Sequence, residues 1–491
     1  MKGTGWLQSG AENSQWYLLE DLKINWILVS IFFYVLLQLA ICFVVMRNMR
    51  SEKDYLLAGR KLGVPMIAMT IFATWFGAES CIGAAGAIYE NGLTGGRADP
   101  FGYALCIFFM GWFFARKLWQ RKLTTLADFY RQRFGPVVEK FGVLLVVPPS
   151  VIWAAAQILA FGHVLSATSS LPVEASITFA AVIVVTYTAV GGMLADVISD
   201  FVQGTVLIIG LLVLSVIILM NLPDPELVRK SFSPERLSLR QEGESWLSVI
   251  NAWSIPFIGS LFAAELVNRV LASGSAETAR SGAMVGGCIY LLVGVIPLSL
   301  GMIGPALLPG LADGEQILPL LAEQYLPPVL YVVFIGALVS AILSTVDSAL
   351  LSAGAHMSHN LILPLLQQPT ERIKVLSARI SVVCFGAIAY LLALNAGSVY
   401  ELVIEASAFG SAGVFTCCVM GLTQKKGGPY TASATMITGI IVYGVLAYGF
   451  DYSYAYLMSL ISAFTVYVLL MWIEKPYEEL LGELRPSIVA Q

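Results

Sequence analysis

Charged residues are scarce in this chain of 491 residues: 28 are Lys or Arg, 32 are Asp or Glu, and together they make up 12% of the sequence. Hydrophobic residues make up 57%. A soluble globular protein carries about twice this share of charge, so the composition excludes an ordinary soluble enzyme and indicates a polytopic membrane protein. The net charge of −4 is spread through the loops and offers no basic surface for a nucleic-acid partner.

Histidine and cysteine are few as well. The histidines are His163, His356 and His359, and the seven cysteines are isolated in apolar segments apart from the adjacent Cys417 and Cys418. These residues form neither a disulfide framework nor a metal-ligand spacing. The sequence has no Walker-type phosphate loop, and its apolar runs hold no nucleophile paired with a base. We therefore predict that the chain is not an enzyme and that an ion gradient drives any transport.

Apolar runs of about twenty residues predict an all-α membrane protein with about thirteen transmembrane helices, the first near residues 25–46. Basic residues cluster after the first run, from Arg47 to Lys61, and after the third, from Arg116 to Lys140. Because Lys and Arg accumulate in cytoplasmic loops, we expect the N-terminus outside the cell membrane. An odd number of spans then places the C-terminus in the cytoplasm.

Several polar residues share one face of a predicted helix inside a long apolar run: Ser340, Ser344, Asp347, Ser348 and Ser352. Hydroxyls and a carboxylate in hydrocarbon cost free energy unless they face a partner, a cavity or an ion. The stripe indicates an ion path; the alternative is close helix packing, with Asp347 as an interhelical hydrogen bonder. His356 and His359 extend the stripe beyond Ser352, either into a water-filled exit or as side chains at the membrane interface.

The second apolar run does not have the composition of a regular lipid-facing helix. Between Ile71 and Gly96 it carries many small residues, including Gly77 and Gly83, and the carboxylate Glu79 at membrane depth. Glycines permit a break in the helix, and the freed carbonyls can bind a cation, as in the interrupted helices of secondary transporters. A tightly packed interface of small residues is the alternative.

Six segments together resemble the sodium/solute symporter family over nearly the whole chain. They are DYLLAGRKLG from Asp54, ATWFGAESCIG from Ala73, TLADFYRQRFG from Thr125, YTAVGGMLADVISDFVQ from Tyr187, NRVLASGSAETAR from Asn268 and SAILSTVDSALLS from Ser340. The resemblance implies two inverted repeats of five helices in the leucine-transporter-like fold, with the first and sixth core helices broken. Substrate in this fold binds where those two helices break, flanked by the third and eighth core helices.

The same resemblance divides the chain into five parts. Residues 1–63 would hold the outside N-terminus and a peripheral helix, 64–221 the first repeat, 222–246 an extracellular loop and 247–421 the second repeat. Residues 422–491 would hold two more peripheral helices and a short cytoplasmic tail.

The resemblance also implies a sodium site between the first and eighth core helices. Its ligands would be the backbone carbonyls of Ala73, Phe76 and Ala341 and the hydroxyls of Ser344 and Thr345. Sodium is a hard cation that suits neutral oxygen ligands, so this residue set agrees with its chemistry. Na+ is the coupling ion that we expect.

Some members of the family have a second sodium site between the fifth and eighth core helices. Asp200, Asp347 and Ser348 fall at or near the corresponding positions, with Ser344 available to bridge. Two carboxylates at one small site either favour a cation strongly or share a proton. A second sodium, a proton in its place and a structural role for Asp200 all stay open. Asp196, a weaker candidate, would simply face cytoplasmic water.

Trp75 and Trp153 fall in the first and third core helices, in segments most similar to the choline-transporting branch of the family. Aromatic faces attract quaternary ammonium groups, although packing between helices is the alternative for both. The sequence departs from that branch at Ala263, where the branch has a further tryptophan; the open cage would admit a larger cation, an amino acid or another metabolite. Glu79 and Glu265 would pair with an amine if they reach the pocket, or serve as protonated hydrogen bonders.

The sequence thus predicts a sodium-coupled secondary symporter that imports a small organic solute by alternating access. The best match is a quaternary ammonium compound or another small cationic or zwitterionic metabolite. Partners would be the substrate and membrane lipid, with no nucleic acid and no obligatory protein partner. The alternatives are a solute sensor without turnover and a symporter for an amino acid, nucleoside or sugar, including a proton-coupled one.

Overall fold

The computed structural model describes residues 49–477 apart from 170, 223 and 224, together with a few isolated positions between 29 and 44. All regular elements in these residues are helical, and the one β contact among them is an isolated bridge between Leu62 and Ser273. The first predicted transmembrane helix, near 25–46, and the last part of the predicted cytoplasmic tail lie outside the described residues.

Helical segments account for most of the described chain. In order, they are α1 Glu52–Leu57, α2 Val64–Trp75, α3 Glu79–Thr94, α4 Phe101–Gln120, α5 Leu126–Phe134, α6 Pro136–Ala167, α7 Val173–Met220, α8 Pro225–Ser231, α9 Trp246–Ser254 with its continuation Ile255–Gly259, α10 Ala264–Ala272, α11 Ala276–Leu307, α12 Ile317–Tyr325, α13 Pro328–Leu365, α14 Glu371–Leu394, α15 Val399–Ala408, α16 Ser411–Thr423, α17 Pro429–Gly444 and α18 Ala455–Leu470.

Eight helices in the described part are long and apolar enough to cross a membrane, or up to ten if each of two bent pairs is one span. The bent pairs are α2 with α3 and α15 with α16, and α18 is a shorter apolar helix. The all-helical membrane architecture is therefore confirmed for this part of the chain. The exact number of thirteen helices and the five-plus-five repeat stay predictions.

Two helical runs are interrupted where the sequence predicts a break. α2 and α3 meet at an angle of 52°, and a side chain on Gly77 between them would collide with the Thr345 hydroxyl of α13. α9 and α10 are separated by residues 260–263, where Ala263 leaves the helical conformation with a ψ of 137°. Both breaks release backbone groups from helical hydrogen bonding, so that they are free to face a ligand.

The long helix α7 has a sharp kink rather than a loop. Gly192 adopts a φ of 65° there, a conformation that glycine reaches without steric cost, and the ring of Tyr55 leaves no room for a side chain on it. The kink divides α7 into two apolar segments, one before and one after Gly192.

The centre of the bundle is α13. Every residue from Ala337 to His356 is buried, and the helix packs against α6 and α7. The polar stripe of α13 therefore faces protein on all sides rather than lipid, which removes the cost of exposing its hydroxyls to hydrocarbon.

Candidate transport site

A cavity of about 50 Å³, partly open to its surroundings, lies between the two interrupted helical runs. Four of the five residues predicted to bind substrate line it: Trp75, Trp153, Ala263 and Glu265. Trp75 ends α2, Trp153 belongs to α6, and the other two lie at the break before α10. The cavity is thus built from the broken helices and α6, together with Tyr103 of α4 and the bend between α15 and α16. No residue of α13, which the resemblance implies as the second flanking helix, is part of the described lining.

Three aromatic rings form one wall of the cavity. The ring centroids of Trp75 and Trp153 are 5.5 Å apart with an interplanar angle of 74°, and those of Trp75 and Tyr103 are 5.3 Å apart at 71°. These edge-to-face contacts fix the rings at right angles, so that they present faces in different directions. Such faces attract a cation that has no hydrogen-bond donors.

Hydroxyl groups that sequence reasoning missed form a second part of the lining. Ser260 donates to the Ser407 hydroxyl at 3.1 Å, and Ser407 lies 3.2 Å from the Tyr103 hydroxyl. Ser407 reaches the cavity because α15 and α16 bend by 41° just after it, with Gly410 at a φ of 68°. The small residues around Gly410 are the one local signal that could have indicated this third interruption.

The carboxyl group of Glu265 is the charged group of the lining. Its side chain is only 2% exposed, the Ser150 hydroxyl lies beside it, and its Oε1 atom has no hydrogen-bond partner within the described residues. No Lys, Arg or His among the described residues lines the cavity. Arg269, one turn further along α10, interacts favourably with this carboxyl from outside the lining. The charge that the described lining itself presents to a ligand is therefore negative when Glu265 is ionised.

Glu79, the fifth predicted substrate residue, does not line the cavity. Its carboxyl accepts a hydrogen bond from the Gln157 side chain at 2.9 Å, and Gln157 in turn accepts from the Ala78 backbone N–H at 2.9 Å. The neighbouring Ser80 donates to the Asp99 carboxyl at 2.6 Å. In this arrangement Glu79 holds the broken helix against α6.

The five predicted sodium ligands lie where the end of α2 meets α13. The last helical hydrogen bond of α2 runs from the Phe76 N–H to the Phe72 carbonyl at 2.8 Å, which leaves the carbonyls of its final turn without the partners of a continuing helix. Thr345 stands against Gly77 and donates to the Ala341 carbonyl at 3.2 Å.

Ser344, the remaining predicted ligand, donates to the Asp200 carboxyl. The hydroxyls proposed for the first ion therefore adjoin the residues proposed for the second. Ala73, Phe76, Ala341 and Thr345 supply neutral oxygens, whereas Asp200 supplies a charged one.

The residues of the candidate second cation site surround a buried arginine. Arg269 is 1% exposed, and its Nη2 lies 2.5 Å from the Asp196 carboxyl and 3.7 Å from that of Asp200. Ser348 contacts both Arg269 and Asp196. The expectation that Asp196 faces cytoplasmic water is wrong, because its carboxylate is buried and paired with Arg269.

Asp347 faces a different direction within this cluster. Its carboxyl accepts a hydrogen bond from Thr188 and lines a small cavity beside the kink of α7, together with Asp196. Arg269 is the one basic side chain paired with these acids in the described chain. Three carboxylates and one guanidinium give a formal charge of −2 if all are ionised, which leaves this cluster able to accept a cation or a proton.

The two histidines that follow the stripe have different surroundings. His356 is buried, with its Nδ1 atom 2.8 Å from the Ser352 carbonyl. His359 lies between two carboxyl groups, with Nδ1 2.8 Å from Glu52 and Nε2 3.4 Å from Asp128. His359 thus joins α13 to α1 and α5 at the end of the bundle.

An all-helical bundle with interrupted helical runs around a cavity is the architecture of a membrane transporter. The model of the Sodium:solute symporter family matches residues 55–439, and the chain belongs to this family. It is therefore an integral membrane protein and a transporter rather than an enzyme, and Na+ is its coupling ion.

Similar proteins transport more than one kind of solute. The chain is 28% identical over 410 residues to "High-affinity choline transporter 1" of Caenorhabditis elegans, covering 77% of this chain and 70% of the relative. It is 27% identical over 449 residues to the human "High affinity choline transporter 1", covering 85% and 76%. It is 26% identical over 417 residues to the "Sodium/pantothenate symporter" of Escherichia coli K12, covering 80% and 84%.

Two solved structures share the fold. A Na+-coupled sialic acid symporter in a substrate-bound outward-open state aligns with a TM-score of 0.81 at 16% identity, covering 92% of this chain and 98% of the other. A nucleobase-cation-symport-1 family transporter in a closed conformation with bromovinylhydantoin bound aligns with a TM-score of 0.57 at 16% identity, covering 85% and 93%. At these identities the likeness shows the fold alone.

Proposed function

We propose that this chain carries a small organic cation, with a quaternary ammonium compound as the best match, in symport with Na+. The observation that carries the proposal is the described lining of the cavity, which has five aromatic side chains, one buried carboxyl group and no basic side chain. The aromatic residues are Trp75, Tyr103, Trp153, Phe262 and Phe409. Aromatic faces stabilise a desolvated ammonium group, and Glu265 supplies the opposite charge.

The similar proteins are named for solutes of opposite charge, so we compare each kind of solute with the lining of the cavity. Choline is a cation, whereas pantothenate carries a carboxylate. An anionic cargo in this cavity would lie beside the Glu265 carboxyl with no basic side chain of the described lining to pair with it. Choline-like chemistry is therefore the better match, and the small side chain of Ala263 leaves room for a cation larger than choline.

Sodium would bind between the end of α2 and α13, at the carbonyls of Ala73, Phe76 and Ala341 and the hydroxyls of Ser344 and Thr345. An ion there holds the broken helix against the central helix of the bundle. Coupling requires that the ion binds the outward-open and inward-open states with different affinity, since equal affinity would shift no population. Release into the low-sodium cytoplasm then frees the cargo.

A second cation or a proton would bind in the cluster of Asp200, Asp347 and Ser348. The formal charge of the cluster supports this proposal. The Hill coefficient of uptake against sodium concentration sets a lower bound on the number of sodium ions per cargo.

We also infer the topology that the sequence predicts. The repeats would comprise 64–221 and 247–421, with the N-terminus outside and the C-terminus in the cytoplasm. Basic residues in the segment before α2 and in the segment after α4 support the cytoplasmic assignment of that end of the bundle.

The test is uptake of radiolabelled choline into proteoliposomes under an inward sodium gradient, compared with an equal potassium gradient. We expect accumulation above the external concentration with sodium alone. Binding of choline without accumulation would instead identify a solute sensor. Sodium-dependent accumulation of pantothenate but not of choline would refute the assignment of a cationic cargo while leaving sodium symport intact.

A further inference from the structure

An open cleft of about 540 Å³ lies outside the transport site, between α1, the end of α4 and the turn that follows α10. Its polar lining is mostly basic: Lys53, Arg60 and Lys122, with Glu52 as the single acid and Trp119 and Thr124 beside them. Neither the family membership nor the proposed cargo accounts for this cleft.

The acids near the cleft are already paired with other groups. The Glu52 carboxyl lies 2.8 Å from His359 Nδ1. Asp128, the other acid near Arg60, interacts with His359 and accepts a hydrogen bond from Asn360 at 2.9 Å. The cleft therefore has more basic groups than carboxylates available to neutralise them.

The three basic side chains have few competing partners. Within the described chain, Lys53 has no ion pair, and Lys122 places its Nζ 3.3 Å from the centroid of the Trp119 ring. Arg60 donates from Nη2 to the Leu123 carbonyl, while its buried Nε has no hydrogen-bond partner among the described residues. An anion in the cleft would supply a charged acceptor for these basic groups.

The backbone holds two of these residues in an uncommon conformation. Arg60 and Lys122 have φ values of 59° and 58°, and Ala58 beside them has 46°. Non-glycine residues adopt positive φ only where the surrounding structure imposes it, often at ligand-binding sites. The backbone from which the Arg60 and Lys122 side chains extend is thus held by the local fold.

The position of the cleft at the end of a membrane span indicates the kind of ligand that it would bind. Trp119 and Lys122 lie at the end of the candidate membrane span Phe101–Gln120, and Trp119 donates from its indole N–H to the Ser273 carbonyl at 2.7 Å. Tryptophan is enriched at the boundary between hydrocarbon and headgroups, and basic pockets at this level bind anionic headgroups. We propose that the cleft formed by Lys53, Arg60 and Lys122 binds a phosphate group, supplied by an anionic phospholipid or by free phosphate.

A phosphate in this cleft would contact segments that adjoin both interrupted helical runs. Arg60 precedes α2, and Gly274 on the opposite wall follows α10. These segments are joined by a hydrogen bond from the Gly274 N–H to the Leu62 carbonyl at 2.9 Å. The site is independent of the identity of the cargo.

The experiment compares the Tm of the purified full chain with three additives: dihexanoyl phosphatidylglycerol, dihexanoyl phosphatidylcholine and inorganic phosphate at matched ionic strength. The test variant is Lys53→Gln with Lys122→Gln. The matched control is Lys425→Gln with Lys426→Gln, because Lys426 lies 3.1 Å from the centroid of the Trp472 ring, as Lys122 does over Trp119, but outside the cleft. Should the double variant not fold, Lys53→Gln alone carries the same comparison.

We expect phosphatidylglycerol to raise the Tm of the wild type and of the control by about 2–4 °C at several times its dissociation constant, and to have little effect on Lys53→Gln with Lys122→Gln. Phosphatidylcholine should have little effect on any of them. A rise with inorganic phosphate that the test variant loses would support the phosphate site and assign it to a soluble ligand. An equal rise in the test variant, or no rise with either phosphate compound, would overturn the proposal.

Discussion

The substitution Glu265→Gln tests whether the buried carboxyl of the cavity supplies the charge that binds the cargo. Gln keeps the size and hydrogen-bonding capacity of Glu but removes its negative charge. Glu265 is 2% exposed and shares its cavity with the Trp75 and Trp153 rings. For a separation of about 5 Å between the cation and the carboxylate, Coulomb's law with an effective dielectric constant of about 20 gives ~3 kcal/mol.

Part of this attraction is offset because a bound cargo removes the remaining solvation of both charges. We therefore expect Glu265→Gln to weaken choline binding by about 1.5–2.5 kcal/mol, which corresponds to about 10- to 70-fold in Kd. The measurement is binding of radiolabelled choline in sodium buffer. The internal control is displacement by 3,3-dimethyl-1-butanol, which has the shape of choline without its charge and should bind both proteins with similar affinity.

Two results would refute this reasoning. An unchanged Kd for choline in Glu265→Gln would show that aromatic faces alone bind the cargo. The second contrary result would be a loss of choline binding in Glu79→Gln but not in Glu265→Gln. That outcome would mean that the Gln157 contact of Glu79 seen here opens when substrate binds.

Three further predictions concern the ion sites and the end of the bundle. Ser344→Ala with Thr345→Ala should raise the sodium concentration for half-maximal choline uptake about tenfold or more without loss of folded protein, as measured by uptake and Tm. Arg269→Gln should destabilise the fold by about 3–5 kcal/mol, seen as a lower Tm, because Asp196 and Asp200 lose their shared counter-charge. Burial raises the pKa of Asp128, but the hydrogen bond and charge of His359 outweigh it and lower this pKa to about 2. The associated stability is present above the ordinary pKa of 3.8 and is lost as pH falls towards 2, so the Tm difference between wild type and His359→Gln should be larger at pH 5 than at pH 3.

The sequence predicts the position of the cavity better than the details of its lining. Small residues around Gly77 and the aromatic positions Trp75 and Trp153 are local signals, and the break they indicate is present. Ser260 and Ser407 are not predictable in this way, because a serine in an apolar helix is equally compatible with helix packing. Their roles depend on the bend between α15 and α16, which brings together residues 147 positions apart.

Contacts between residues far apart in the sequence account for the other differences between the predicted and the observed surroundings of the site residues. Asp196 near the end of an apolar run has the local pattern of a solvent-facing acid, and only its contact with Arg269, 73 positions away, makes burial favourable. Glu79 likewise has the pattern of a cavity residue, but the amide of Gln157 holds it outside the lining. A pairing of this kind is a property of the assembled bundle, and no periodicity within either segment encodes it.

The short helix α10 links the cargo cavity to the proposed ion sites. Glu265 and Arg269 are four residues apart on it and therefore lie on neighbouring turns of one face. The first lines the cavity, and the second pairs with Asp196 and Asp200 beside the proposed sodium ligands. Ion and cargo become coupled only if both stabilise the same arrangement of a shared element. Because α10 carries a charged group for each site on adjacent turns, a displacement of this helix changes the charge environment of ion and cargo together.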